Sequence, residues 1–142
     1  MAREGDKMPA TQHQKHEAGR HLVVAQALLR GFGAQTQGRS SLIEVNGRQA
    51  EVHVATKGAW QISNVDKFLG ATISRVVFVD LTGTVPEFFI LDGDRARAIV
   101  KRHHEEFLKR VGGVRPRNPQ SKHSAVRRDH IQRWRNRWSL FD

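Results

Sequence analysis

A tight hairpin is the sequence feature that most constrains the fold of this chain. The strand-forming run Leu42–Val45 is followed by Asn46-Gly47, the strongest short signal for a two-residue hairpin turn, and a second strand-forming run returns over Glu51–Lys57. Because side chains alternate across a strand, Val52 and Val54 are predicted to lie on one face. The other face of the returning run carries Glu51, His53, Ala55 and Lys57. The chain must therefore build its core around an antiparallel ribbon.

Helical periodicity precedes the hairpin. Apolar residues recur at three- and four-residue spacing from Lys15 to Phe32, and Gly31 and Gly33 end the pattern. Residues 1–14 show no apolar period, so we expect a disordered N-terminal tail there. A short edge strand is predicted within Ala34–Gly38.

Strands and helices alternate after the hairpin. The apolar run Val76–Leu81 predicts a strand buried on both faces, and Pro86–Leu91 predicts its antiparallel neighbour. Between the hairpin and the apolar run Val76–Leu81 we expect a loop that contains one helical turn. A helix from Asp92 or Asp94 to about Arg110 and a last helix over about residues 127–138 complete the chain. The order predicts an α+β fold, a mixed four- to five-stranded sheet flanked by helices, as one domain over residues 15–142.

Charge is the strongest compositional signal. The 142 residues carry a formal net charge of +10, and 12 of the 24 Lys and Arg residues lie in residues 101–142 against four acids. This asymmetry indicates a polyanionic partner, most often nucleic acid, with simple solubility as the alternative. The chain has no cysteine and no apolar run near the roughly 20 residues of a membrane span, so we expect no membrane contact and a cytoplasmic protein.

The C-terminal part, about residues 111–142, holds the basic side chains expected to contact phosphates. Arginine forks match phosphate oxygens, so these side chains would grip a nucleic-acid backbone without reading bases. The candidates are Arg115, Arg117, Lys122, Arg127, Arg128, Arg133, Arg135 and Arg137. Intramolecular pairing is the alternative. Trp134 and Trp138 are expected as core or interface anchors.

Several segments together resemble one family of nucleases. They are His16-Glu17-Ala18-Gly19-Arg20, Val23–Phe32, Val52–Thr56, Phe78–Leu81, Pro86–Ile90 and Trp134–Trp138. In order and spacing these segments resemble the PD-(D/E)XK, or restriction-endonuclease-like, superfamily. The resemblance implies a restriction-endonuclease-like core, nucleic acid as partner with DNA favoured, and Mg²⁺ or Mn²⁺ as the cofactor of an active member.

The resemblance also implies a degenerate site. Glu17 takes the place of the family's helix acid, but the first-strand acid falls on Ser41, the second-strand acid or Gln on His53, and the lysine on Ala55. Mg²⁺ prefers carboxylate oxygens, histidine suits transition metals, and alanine orients no water. Glu17 also has a simpler explanation as an acid in the first helical turn.

Two explanations remain for the missing lysine. Glu51 and Lys57 share the predicted face of His53, so a shifted catalytic set of Glu17, Glu51, His53 and Lys57 is one explanation. An engineered replacement at Ala55 is the other, and it would leave Ser41 unexplained.

Three functions follow from these observations. The first is a nuclease-fold protein that binds nucleic acid and has lost or weakened metal-dependent cleavage, with no cofactor. The second is an active Mg²⁺- or Mn²⁺-dependent endonuclease that uses the shifted set. The third is a regulatory or structural subunit that binds protein through Trp134 and Trp138. The oligomeric state stays open, with a homodimer as one arrangement.

Overall fold

The first helix begins earlier than the periodicity predicts. The computed structural model describes residues 8–38, 40–113 and 123–142, and α1 spans Gln12–Leu29. Thr11 caps it: its side chain accepts a hydrogen bond from the backbone N–H of Gln14, and the Gln14 side chain accepts one from Thr11. The predicted disordered tail is therefore wrong at residues 12–14, because a capping box offsets the lack of an apolar period. Residues 1–7 lie outside the described residues.

The remaining elements follow in a mixed order of strands and helices. They are β1 (Ala34–Thr36), β2 (Leu42–Val45), β3 (Arg48–Ala55), β4 (Ala59–Ile62), α2 (Val65–Gly70), β5 (Arg75–Asp80), β6 (Glu87–Asp92), α3 (Gly93–Arg110), β7 (Ser124–Arg127) and α4 (Arg128–Ile131), followed by two 3₁₀ turns, Gln132–Trp134 and Trp138–Phe141.

The main sheet confirms the predicted hairpin. Its strand order is β1-β2-β3-β5-β6, and β3 and β5 form the parallel pair among antiparallel neighbours. Asn46 and Gly47 both have positive φ, 51° and 77°, as a two-residue hairpin turn requires. The connection from β3 to the parallel β5 carries β4 and α2 across one face. The predicted mixed sheet is thus confirmed with five strands.

The two faces of this sheet are covered by different layers. On one face α1 packs through Val23 and Ala27 against Val52 and Val54 of β3, and Trp138 joins this cluster. Most residues of the opposite cluster come from β4, α2, β5, β6 and α3, with one each from β3, β7 and α4. They include Trp60, Phe68, Phe78, Phe89, Ala96 and Val100. The sheet is therefore a central layer between α1 and the crossover side, the α+β architecture predicted.

Gly19 sets how closely α1 lies on β3. A Cβ built at this position would lie 2.4 Å from Cγ2 of Val54, which is far inside van der Waals contact. Only glycine therefore fits at this crossing without a shift of the helix. This close approach carries the first turns of α1, with His16 and Glu17, towards the hairpin.

The C-terminal part differs from the prediction. In place of one helix over residues 127–138, the chain forms β7, the single turn α4 and two 3₁₀ turns. β7 pairs with β4 in a second, two-stranded sheet, and β4 falls where a loop was predicted. Trp60 of β4 anchors this sheet, since its indole N–H donates to the carbonyl of Val79 at 2.9 Å. β4 and β7 pair across more than 60 residues of chain, so neither segment shows this pairing by itself.

None of the helices over residues 8–38, 40–113 and 123–142 has the length and apolar character needed to cross a lipid bilayer.

Candidate nucleic-acid interface

A groove of about 370 Å³ opens where the β2–β3 hairpin meets the start of α1, and we call it the hairpin groove. It is bounded by α1, β3, β4 and α2. Its chemically important lining residues are His16, Ser41, Glu51, His53, Asn64 and Lys67. The groove therefore joins residues that are far apart in the sequence.

The hairpin register brings three of the predicted site residues together. The carbonyl of Ser41, just before β2, accepts a hydrogen bond from the N–H of Val52 at 2.9 Å. Leu42 pairs directly with Glu51 in the same ladder. Ser41, Glu51 and His53 therefore line one groove, as an antiparallel pairing with a two-residue turn dictates.

Glu51 and His53 are in close contact on the face of β3 that α2 covers. Oε1 of Glu51 lies 2.9 Å from Nε2 of His53, although this buried nitrogen has no well-directed hydrogen bond. The imidazole stacks on Phe78, with centroids 5.5 Å apart, and meets the edge of Phe68. The His53 contact lowers the pKa of the Glu51 carboxyl, burial opposes this, and the charge of Lys67 adds to the lowering. Glu51 is therefore ionised at neutral pH.

Glu17 lies beside this groove rather than in it. An adjoining pocket of about 290 Å³ is lined by Glu17 and shares His16 and Ser41 with the hairpin groove. The Glu17 carboxylate lies 3.3 Å from Nη1 of Arg20 and 3.6 Å from Nε2 of His21. Its charge is thus already met by Arg20 of its own helix, with His21 beside it.

Arg20 holds α1, with His16 and Glu17, in position beside the hairpin. Its guanidinium is buried and donates to the carbonyls of Gln37, Gly38 and Leu42 at 2.7 to 3.1 Å. It therefore ties α1 to the β1–β2 connection and to the first residue of β2. Arg20, which belongs to a segment that carries the nuclease resemblance, therefore has a structural role.

His16 is a groove residue that sequence reasoning missed. It lines both pockets, and its pKa is lowered by burial first and then by the charges of His53 and His13. The available signal was its position next to Glu17 in the first turns of α1. Periodicity alone could not tell which of two adjacent helical residues faces the groove.

Ala55 and Lys57 do not line the hairpin groove. Ala55, the last residue of β3, is 1% exposed and packs in the same core cluster as Trp60 and Phe78. Lys57 is exposed in the bend that follows the strand. The predicted shared face therefore holds for Ala55 but is wrong for Lys57, because the strand ends before Lys57. The lysine that lines the groove is Lys67 of α2.

The donor set does not fit Mg²⁺ as it is arranged. Within residues 8–38, 40–113 and 123–142, no three His, Cys, Asp or Glu side chains are placed to share an ion. Glu51 is paired with His53, and Glu17 is paired with Arg20. A site for a hard cation needs several free oxygen ligands.

Two of the C-terminal arginines that were predicted to contact phosphate are paired within the protein. Arg128 is bound by both carboxylate oxygens of Glu87, and its Nη1 lies 3.5 Å from Asp80. Arg135 lies 3.4 Å from the same Glu87. This ion pairing lowers the pKa of the Glu87 carboxyl, chiefly through its bond with Arg128. The alternative of intramolecular pairing thus applies to these two arginines.

The other basic residues predicted to contact phosphate have different surroundings. Arg127 is exposed and lies 3.5 Å from Asp129. Arg133 lies over the ring of Trp134 at 5.4 Å and is exposed, and the side chain of Arg137 donates to the carbonyl of Arg133. Arg115, Arg117 and Lys122 lie outside the described residues.

Trp134 and Trp138 lie in different surroundings. Trp138 is 5% exposed and packs with Phe88 and Phe141, so it anchors the core and is not available to a partner. Trp134 is half-buried against the opposite cluster.

The arrangement of elements has a counterpart among solved structures. A bacterial homing endonuclease, I-Ssp6803I, superposes with a TM-score of 0.52 and 14% identity, over 93% of this chain and 91% of that chain. The fold is nuclease-like. At this level of identity the likeness concerns the fold and not the activity. No protein-family profile and no curated protein sequence matches the chain at a significant level.

Proposed function

We propose that this chain is a nuclease-fold protein that binds nucleic acid, with DNA favoured, and that its metal-dependent cleavage is lost or much weakened. The observation that carries the proposal is the hairpin groove: two of the four positions at which the PD-(D/E)XK resemblance expects catalytic groups line it, and they hold Ser41 and His53. The nuclease-like fold and the net charge of +10 support the same reading.

The lining of the groove suits phosphate better than a hard cation. Lys67 and the imidazoles of His16 and His53 are donors or cations, and Ser41 and Asn64 offer neutral polar groups. One carboxylate, Glu51, opposes them, and it is paired with His53. A phosphodiester backbone placed here gains charge-assisted hydrogen bonds at its oxygens.

The weakened cleavage rests on the side chains at the resemblance positions. Serine at 41 gives no carboxylate, and the methyl group of Ala55 is buried in the core instead of reaching the groove. Neither position then supplies a carboxylate for a metal ion or a side chain that orients the attacking water.

Two lysines of the same region offer a matched test of binding. Lys67→Gln removes a cation that lines the groove, and Lys57→Gln removes an exposed cation that does not. We expect Lys67→Gln to weaken binding of a fluorescein-labelled DNA duplex and to reduce the slope of log K against log salt by about 1. Lys57→Gln should leave both unchanged. Equal effects of the two variants would refute the groove as the binding site.

Cleavage is tested separately on supercoiled and linear DNA with Mg²⁺ or Mn²⁺. We expect no metal-dependent nicking by the wild-type protein. Nicking that disappears in Glu17→Ala would instead establish the second candidate, an active endonuclease. The ionised Glu51 carboxylate inside the groove is the observation that favours this candidate.

Pairing of two copies belongs to the same proposal, since the resemblance suggests a homodimer. Light scattering coupled to size exclusion, with and without the DNA duplex, measures the mass of the assembly directly. A monomer in both states would remove this part of the proposal.

A further inference from the structure

A second groove lies between α3 and the β7–α4 segment, and we call it the histidine groove. Its volume is about 750 Å³, and it is lined by three cations, Lys109, Arg110 and Arg127. Two acids, Glu106 and Asp129, also line it. With neutral histidines its lining is therefore weakly positive.

Two histidines are stacked inside this groove. The rings of His103 on α3 and His130 on α4 lie 3.5 Å apart, with 11° between their planes. Nδ1 of His130 accepts the backbone N–H of Arg127 at 3.1 Å, and Nδ1 of His103 lies 3.5 Å from Glu106. A third histidine, His123 of the segment before β7, also lines the groove. The charge of the groove is thus set by how many protons these rings carry.

The groups that act on the pair come from every side of the groove. Burial is the main cause that lowers the pKa of His130, and the charges of His103 and Arg127 add to it, whereas those of Asp129 and Glu106 oppose it. The described charged lining comes from α3 (His103, Glu106, Lys109 and Arg110), from β7 and the residue before it (His123 and Arg127), and from α4 (Asp129 and His130). Burial and these charges therefore favour the neutral form of His130, and an added anion in the groove would favour a protonated imidazole.

The histidine groove adjoins the hairpin groove. Gln61 of β4 lines the hairpin groove, and its side-chain oxygen contacts Nε2 of His123, which lines the histidine groove. The two grooves thus meet at the β4–β7 sheet. A polyanion lying in the first can continue into the second without leaving the surface.

We propose that the histidine groove is a second binding site for nucleic-acid phosphates, and that binding there draws a proton onto the His103–His130 pair. This inference rests on the proposed function, because it assumes a nucleic-acid partner, but it concerns a different surface. Phosphate oxygens are the ligand because the groove offers cations at its rim and imidazoles within. Binding therefore strengthens on acidification.

Matched variants on α3 test the site. Lys109→Gln removes a lining cation, and Lys101→Gln removes an exposed cation of the same helix that does not line the groove. With the fluorescein-labelled DNA duplex, we expect Lys109→Gln to reduce the salt slope by about 1 and Lys101→Gln to leave it unchanged.

A pH series tests whether DNA binding is accompanied by proton uptake. Wild-type affinity should rise between about pH 8 and about pH 5.5, by at most about tenfold per pH unit for each proton taken up. His103→Gln should lose at least about threefold of that gain. The control is His21→Gln, which removes an exposed histidine of α1 and should keep the full gain. His130→Gln is a second variant, and circular dichroism at each pH reports whether every variant stays folded.

The outcomes separate the two proposals. If the wild type binds DNA but Lys109→Gln matches Lys101→Gln, the histidine groove is not a binding site and the proposed function stands. If Lys109→Gln reduces the slope but His103→Gln matches His21→Gln, the proton uptake is refuted. If the wild type ignores DNA at low salt, the proposed function fails and this inference fails with it.

Discussion

The crossing of α1 over β3 yields the sharpest stability prediction. Gly19→Ala places a methyl group 2.4 Å from Cγ2 of Val54, about 1 Å short of ordinary contact, which begins at 3.4 Å. Val54 cannot turn away easily, because a β-branched side chain has few rotamers and its far side is packed in the core. The helix or the strand must therefore move.

The magnitude follows from two opposing terms. Overpacking a core contact costs about 1–3 kcal/mol, whereas alanine in place of glycine inside a helix favours folding by about 1 kcal/mol. We expect Gly19→Ala to lower the free energy of unfolding by about 1 kcal/mol. Gly70→Ala is the control: Gly70 ends α2 with open space around it, so no contact opposes the substitution.

A double-mutant cycle measured by urea denaturation isolates the contact. Val54→Ala alone should cost about 2 kcal/mol through lost burial and the cavity it leaves. In the double variant the alanine methyl at position 19 occupies that space, so the combined loss should fall short of the sum by at least about 1 kcal/mol. Additivity within about 0.5 kcal/mol would show that α1 does not lie on Val54.

Three further predictions concern buried or paired charges. Arg20→Met should lower the free energy of unfolding by at least about 2 kcal/mol in urea denaturation, because the partly buried carbonyl groups it serves lose their donor; a loss below about 0.5 kcal/mol would contradict this role. The folded pKa of Glu51 lies below its ordinary 4.5, so its ionised form stabilises the fold above about pH 4.5, and this contribution is lost as the pH falls through the folded pKa. Glu51→Gln should flatten the pH dependence of Tm in that acid range by calorimetry, and an unchanged slope would count against the contact with His53. Glu87→Gln should free Arg128 and Arg135 and raise the DNA salt slope by at least about 1, and an unchanged slope would mean that neither arginine faces DNA.

Local patterns predicted the central elements well. The Asn46-Gly47 turn requires positive φ at both positions, and this requirement fixes the hairpin and its register without help from distant residues. The run that forms β5 is apolar on both faces, as a strand between two layers must be. Ser41, Glu51 and His53 could be grouped for the same reason, because they lie at or next to the last pair of that hairpin, Leu42 with Glu51.

Long-range packing decided what periodicity could not. β4 and β7 are four residues each and exist because they pair across more than 60 residues of chain, so neither shows in its own segment. The sequence pattern predicted that the arginines of residues 127–138 belong to one helix. In the fold, Glu87 of β6 lies within reach of Arg128 and Arg135, and attraction to that carboxylate turns two predicted phosphate contacts into internal ion pairs.

The sequence by itself determined the ribbon at the centre of this protein, its charge, and the serine and alanine at positions 41 and 55, where the resemblance expects an acid and a lysine. Those properties depend on residue identity and on turns of two residues. Only the tertiary structure decided which charges remain available. It placed His16 and Lys67 in the hairpin groove, left Lys57 outside it, and stacked His103 on His130, because side chains distant in sequence meet only after the sheet and its covering helices have packed.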